Sequence, residues 1–176
     1  MSVKSFISIK GGSLILAGLV MWQGFRHRNS KAPIQTAMEE IIGMGTPRGI
    51  RNHNPTNIEY HARNDWLGQT GSDGRFAVFR APAYGIRAAA KLLARYQQRE
   101  GLGTVRDLLS RWAPAGIDNP HLEHYIRHVA QRVGIHPTQH KVLTSQYPVM
   151  IAAMIEFENG VQPYDMDTIA YGVSLA

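Results

Sequence analysis

Apolar positions are distributed unevenly along the chain. From Phe6 to Phe25 the run is apolar apart from Lys10 and a few small or weakly polar residues, and Arg26-His27-Arg28 follows at once. The uncharged part, Gly11 to Phe25, spans about 22 Å as a helix, short of the ~30 Å hydrocarbon core of a bilayer. Adding Phe6 to Lys10, with Lys10 snorkelling and Trp22 at one interface, brings the segment to about the full thickness. Gly11, Gly12 and Gly18 suit a membrane helix better than a soluble one. A cleaved signal peptide starting at Lys4 and Lys10 is the main rival, but no small-x-small site precedes the basic cluster. The expectation is a single-pass anchor over residues 1–31, with basic residues on both flanks and hence no assigned orientation.

A linker with one short helix is expected over residues 32–47, with Pro33 in its first turn and Gly43 and Gly45 ending it. The compact domain begins at residue 48 and runs to 176. Its opening stretch, Arg48 to Ile58, holds too many asparagines and too few apolar residues for a regular element. Short strands are expected at Ile58–Tyr60 and Phe76–Phe79, with the turn Ser72-Asp73-Gly74 between them. The period then becomes helical. Pro82 starts a helix whose Ile86, Ala89, Ala90, Leu93 and Tyr96 share a face; Thr104 caps a second through Trp112; and Asn119-Pro120 opens a third that ends at Gly134. Pro148 to Glu158 reads as a central buried helix, and Asp167 as the cap of a last one. The fold class is therefore α+β, mostly α, with a small β element.

The run Val149 to Gly160 brings in candidate chemistry, because Glu158 closes an almost wholly apolar helix. At helical spacing Glu158 lies over Ile155, Met154 and Ile151. An apolar surround and the negative end of a helix dipole both disfavour a carboxylate, so its pKa is expected to rise, which suits a general acid. The plain alternative is a terminal Glu leaning into solvent. Asn52, Asn54 and Asn57 in a Gly/Pro loop can hydrogen-bond N-acetyl and hydroxyl groups of a glycan, and Trp66 offers a flat face for a sugar ring. The alternative is that the asparagines close their own turns while Trp66 packs on the β element. Asp73 and Asp118, each beside a turn or helix start, are candidate second carboxylates.

Composition narrows the classes. The absence of cysteine rules out disulfides, thiolate metal sites and cysteine nucleophiles. With 19 Lys+Arg against 13 Asp+Glu, the charge favours a polyanionic partner such as nucleic acid, anionic lipid or bacterial cell wall. No helix-turn-helix or dense Lys/Arg helix supports nucleic acid. His121, His124 and His128 fall within about 60° on one helix face. Without an H-E-x-x-H they do not make a zinc site, so no metal or other cofactor is expected.

Six ordered motifs carry a resemblance over residues 48 to 176: Arg48-Gly-Ile-Arg-Asn-His-Asn-Pro-Thr-Asn-Ile58, Trp66-Leu-Gly-Gln69, Phe76-Ala-Val-Phe79, Pro82-Ala-Tyr-Gly-Ile-Arg-Ala88, Arg111-Trp-Ala-Pro114, and Glu158-Asn-Gly160 with Pro163-Tyr164. The pattern resembles a family of bacteriophage virion-associated lytic proteins, commonly described as phage structural proteins and similar to the murein-degrading enzyme of an enveloped double-stranded RNA phage. The chain departs from it at His53 and Thr56, where Asn and Gly are usual, and at Glu59, where a basic residue is common. The likeness implies a lysozyme-like domain, peptidoglycan and other virion proteins as partners, and a membrane-associated place in the particle. It also implies that Glu158 is the family's helix-terminal catalytic carboxylate; beside it this chain offers Asp73 and Glu59 as candidate further carboxylates, and Asn52, Asn54, Asn57, Trp66, Gln69 and Tyr164 as candidate substrate contacts. Glycan cleavage is the leading expectation. A murein endopeptidase and a non-catalytic wall-binding virion protein are the alternatives.

Overall fold

The structure, a computed structural model, describes residues 45–115 and 120–176. The anchor expected over Phe6–Phe25, nearly all of the linker before residue 48, and Asp118 and Asn119 lie outside these. Among the described residues no helix is long and apolar enough to cross a membrane.

The domain is mostly helical with one two-stranded sheet. In order come α1 (Arg48–Arg51), β1 (Gln69–Ser72), β2 (Ala77–Phe79), α2 (Pro82–Arg99), α3 (Val105–Trp112), α4 (Leu122–Val133), a 3₁₀ turn (Thr144–Gln146), α5 (Tyr147–Asn159) and α6 (Met166–Ser174). The centre is α5, against which α1, α2, α4 and α6 pack. Tyr147, Met150, Ile151, Ala153, Met154 and Ile155 of α5 are all buried. A helix apolar on nearly every side is stable only when it is surrounded. The others show one apolar stripe each: Ile86, Ala89, Ala90, Leu93 and Tyr96 on α2, as the spacing predicts, and Tyr125, Ile126 and Val129 on α4.

Four local expectations change. The Asn-rich opening does form a regular element, the single turn α1, although the chain leaves it at Asn52. Ile58–Tyr60 is not a strand: it contributes one bridge, Glu59 to Phe76, while β2 pairs antiparallel with Gln69–Ser72. The Asn54 side chain takes the Ile58 N–H, accepting at 2.9 Å, and donates at 2.8 Å to the Ile58 carbonyl, which also accepts from Ala77 N–H at 3.0 Å, so pairing with the sheet is limited to this bridge. Gln-Thr-Gly-Ser, in turn, has no apolar alternation to mark it as β. The third expected helix starts at Leu122, two residues past Pro120, and ends at Gly134 in the left-handed conformation as anticipated. Finally, α6 is capped by Asp165, whose side chain accepts from Thr168 N–H at 2.7 Å; Asp167 lies in the first turn.

Thr104 does cap α3. Its hydroxyl accepts from Asp107 N–H, and the Asp107 carboxylate accepts from Thr104 N–H at 3.0 Å, a reciprocal box that holds Asp107 below its ordinary pKa. Thr104→Ala is expected to destabilise the domain by about 1 kcal/mol, read as a lower urea midpoint at unchanged slope.

Candidate active site around Glu158

The site is assembled by a loop that folds onto the end of the central helix. Between α1 and Ile58 the backbone has positive φ at His53 and Asn57, a conformation that asparagine tolerates better than most residues. Asn54 lies at the middle of the loop and is fully buried. Besides its two bonds to Ile58, its Nδ2 donates to the Ala77 carbonyl at 2.9 Å, and its own carbonyl accepts from Asn57 N–H at 2.9 Å. From α5, Asn159 Nδ2 donates to the Pro55 carbonyl at 2.7 Å and to Ile155 O at 2.8 Å, so one amide both ends the helix and grips the loop. Gly49 permits the approach. A Cβ there would stand 2.7 Å from Asn159 Oδ1 and 2.9 Å from Asn57 Oδ1.

Within this clamp Glu158 is held at both oxygens. Asn57 Nδ2 donates to Oε2 and the Tyr125 hydroxyl donates to Oε1, each at 3.1 Å. Tyr125 is buried in α4, its ring stacked 4.2 Å from Phe157 with the planes 3° apart. Burial pushes the Glu158 carboxyl above its ordinary pKa; the bonds from Asn57 and Tyr125 pull the other way and are outweighed. Its position in the last turn of α5 works in the same direction as burial. Burial, and then the neighbouring Glu158 charge, drives the Tyr125 hydroxyl well above its usual range, so it stays a neutral donor. Glu156 does not share this niche. It meets Arg132 at 2.6 Å and lies 3.4 Å from His128. His124 and His128 flank Phe157 at 5.6 and 5.7 Å between ring centroids.

Of the asparagines, only Asn57 reaches Glu158. Asn52 is buried and donates to Asp73 Oδ2 at 2.5 Å, and Asn54 is fully engaged inside the loop. Asp73 receives Arg48 through two nitrogens at 2.5 and 2.8 Å, together with Asn52 and the Phe76 and Arg75 N–H groups. These hold its carboxyl well below the usual carboxylate range, so it remains an anion organising the turn. Glu59 is exposed and paired with Arg75 at 3.0 Å. Trp66 and Gln69 line a separate open depression, and Tyr164 is half-buried against the core. Sequence reasoning missed Tyr125, because on helical spacing alone a tyrosine in an apolar stripe carries no sign that its hydroxyl faces a carboxylate. Among the described residues no three acidic or histidine side chains are grouped to hold a metal ion.

No protein-family model matches the chain. Its class follows from a relative: it is a bacteriophage protein, mostly α, with a half-sequestered carboxylate at the end of its central helix. It is similar to Protein P5 of Pseudoalteromonas phage PM2, with 39% identity over 129 residues, 71% of this chain and 79% of that protein. The chain belongs to the family of Protein P5.

Because the folded-state pKa of Glu158 lies above its unfolded value, the folded protein binds more protons between the two, and stability is lost as pH rises through that interval. Glu158→Gln removes this loss. The variant is expected to gain stability relative to the parent between about pH 3.5 and pH 7, measured by urea midpoints at both ends. Equal displacement of the two midpoints at either pH would show that the carboxyl is not desolvated.

Proposed function

We propose that the chain is a peptidoglycan hydrolase carried by the phage particle, which opens the cell wall locally during entry or exit. Its domain is a lysozyme-like glycan-cleaving one in which Glu158 is the general acid, and the apolar segment Phe6–Phe25 tethers it to a membrane. The observation that carries this reading is the state of Glu158: a carboxyl whose pKa is raised by burial, oriented at both oxygens by neutral donors, in the turn next to Asn159 and Gly160. The ordered motifs shared with lytic virion proteins, and membership of a phage protein family, support it further.

In this reaction the Glu158 proton passes to the glycosidic oxygen as the C1–O bond breaks. The acetamido carbonyl oxygen of the same sugar closes on C1 from the opposite face, so no enzyme nucleophile is needed. Water then attacks C1, forming the new C1–O bond as the bond to the acetamido oxygen breaks; its proton returns to the Glu158 carboxylate, and a new reducing end is left. The tyrosine and asparagine restrain the carboxyl and leave each oxygen a further lone pair. Both also favour the anion left after proton transfer, which limits how far burial destabilises it.

A second reading, a wall-binding virion protein without catalysis, has one observation in its favour. Asp73 and Glu59 are both tied to arginines, and neither hydrogen-bonds within the Glu158 niche.

The purified protein is expected to clear a suspension of peptidoglycan and release new reducing sugar ends. Glu158→Gln should slow clearing by about 10²–10⁴-fold with the fold intact by circular dichroism. An undiminished rate would remove Glu158 from the mechanism, release of free amino groups would indicate a peptidase, and binding without soluble fragments would favour the second reading. Tyr125→Phe deletes a bond that favours the ionised carboxyl, so the alkaline limb of the pH–rate profile should move upward. A downward move would contradict the hydrogen-bond assignment.

A further inference from the structure

Among the described residues, the central helix α5 is packed by α1, α2, α4 and α6 and yet keeps one open face. There Val149, Ala152, Ala153 and Glu156 floor a groove of about 290 Å³ edged by Arg132 of α4, Gln162 and Met166 of α6. Its edges are fixed: Arg132 donates to Glu156 Oε1 at 2.6 Å, and Gln162 Nε2 donates to the Ala152 carbonyl at 2.8 Å. Between them apolar side chains reach water, Val149 being 40% exposed and Met166 46%. An open apolar face on the helix that every neighbour otherwise wraps is a docking surface in want of a cover.

The chain carries a segment of the matching kind. Residues 33–44 lie outside the described structure and are separated from α1 only by Gly45, Thr46 and Pro47. Gly45 itself takes helical geometry ahead of a bend at Thr46. At about 100° per residue, Ile34, Ala37, Met38, Ile41, Ile42 and Met44 share an arc of about 160°, while Gln35, Thr36, Glu39 and Glu40 fill the opposite arc. A helix this short and this divided is stable only against an apolar surface.

Reach and length agree with the groove. Gly49 abuts Asn159, where a Cβ would stand 2.7 Å from Oδ1, so the chain enters the domain at the C-terminal end of α5. A helix leading up to that point along the groove runs parallel to α5; Ile34 to Ile41 spans about 10 Å, as does Val149 to Glu156. A separate partner would compete with a segment tethered at an effective concentration on the order of millimolar.

We propose that residues 33–44 dock as a helix in this groove, parallel to α5, with Ile34 beside Val149 and the face bearing Glu39 and Glu40 toward water. The upstream chain is thereby joined to the helix that carries Glu158. This docking does not depend on the hydrolase reading.

The chain has no cysteine, so introduced pairs report without background. In the full chain, Ile34→Cys with Val149→Cys is treated with a short reagent that fluoresces only when it bridges two thiols. An intrachain bridge is expected to form at least about tenfold faster than with Thr36→Cys and Val149→Cys, whose first position faces away from the groove. Met166→Lys, at an exposed position, should slow the bridge and speed amide hydrogen exchange over residues 35–43 by at least about tenfold. Equal rates in the two pairs, no bridge in either, or exchange over 35–43 unaltered by Met166→Lys overturns the proposal. A bridge joining two chains, seen as a dimer on a denaturing gel, would show that the groove takes a second copy and overturns it too.

Discussion

The buried side chain of Asn54 is the constraint on which the site depends. One amide takes the N–H and carbonyl of Ile58 and the carbonyl of Ala77, and so joins the loop, the bridge at Glu59 and the sheet into one rigid body. The Asn54 backbone carbonyl accepts from Asn57 N–H and so holds Asn57 in the conformation that lets Nδ2 reach Glu158. A buried amide with every group satisfied is strongly directional, because any other loop geometry leaves donors or acceptors without water or partner. Ordinary apolar packing tolerates small displacements. A set of hydrogen bonds near 2.9 Å does not.

Glu158 is balanced by opposed effects, and their order matters. Burial and the helix end favour the protonated form; the asparagine and tyrosine donors favour the anion and are the weaker influence. A carboxyl subject only to burial would hold its proton too tightly to be an effective acid. One subject only to hydrogen bonds would behave as Asp73 does, ionised and structural. The contrast between these two carboxylates comes from surroundings alone: Asp73 faces a guanidinium, and Glu158 faces neutral groups only.

Much of the framework was legible in the sequence because its signals are local. The 3.6-residue stripe of α2, Thr104 ahead of α3, Gly134 past the end of α4, and the unbroken apolar character of α5 each express a rule that operates within a turn or two. Where competing signals sat side by side the reading slipped. Asp165 precedes α6 and Asp167 lies in its first turn, and only the one whose oxygen reaches the N–H three residues on caps it. Strand β1 had no alternation to show.

The sequence by itself determined the class of fold, the central place of α5, and Glu158 as the carboxylate at its end. Tertiary structure alone decided which partners that carboxylate has. Asn57 lies 101 positions away and Tyr125 lies 33 away, and the grip of Asn159 on Pro55 spans 104. Periodicity and capping act over a few residues, whereas a hydrogen bond between distant segments exists only once packing has brought their backbones together. For that reason three asparagines that looked equivalent in the chain were separated by folding into one that holds a turn, one that organises the loop, and one that touches the acid.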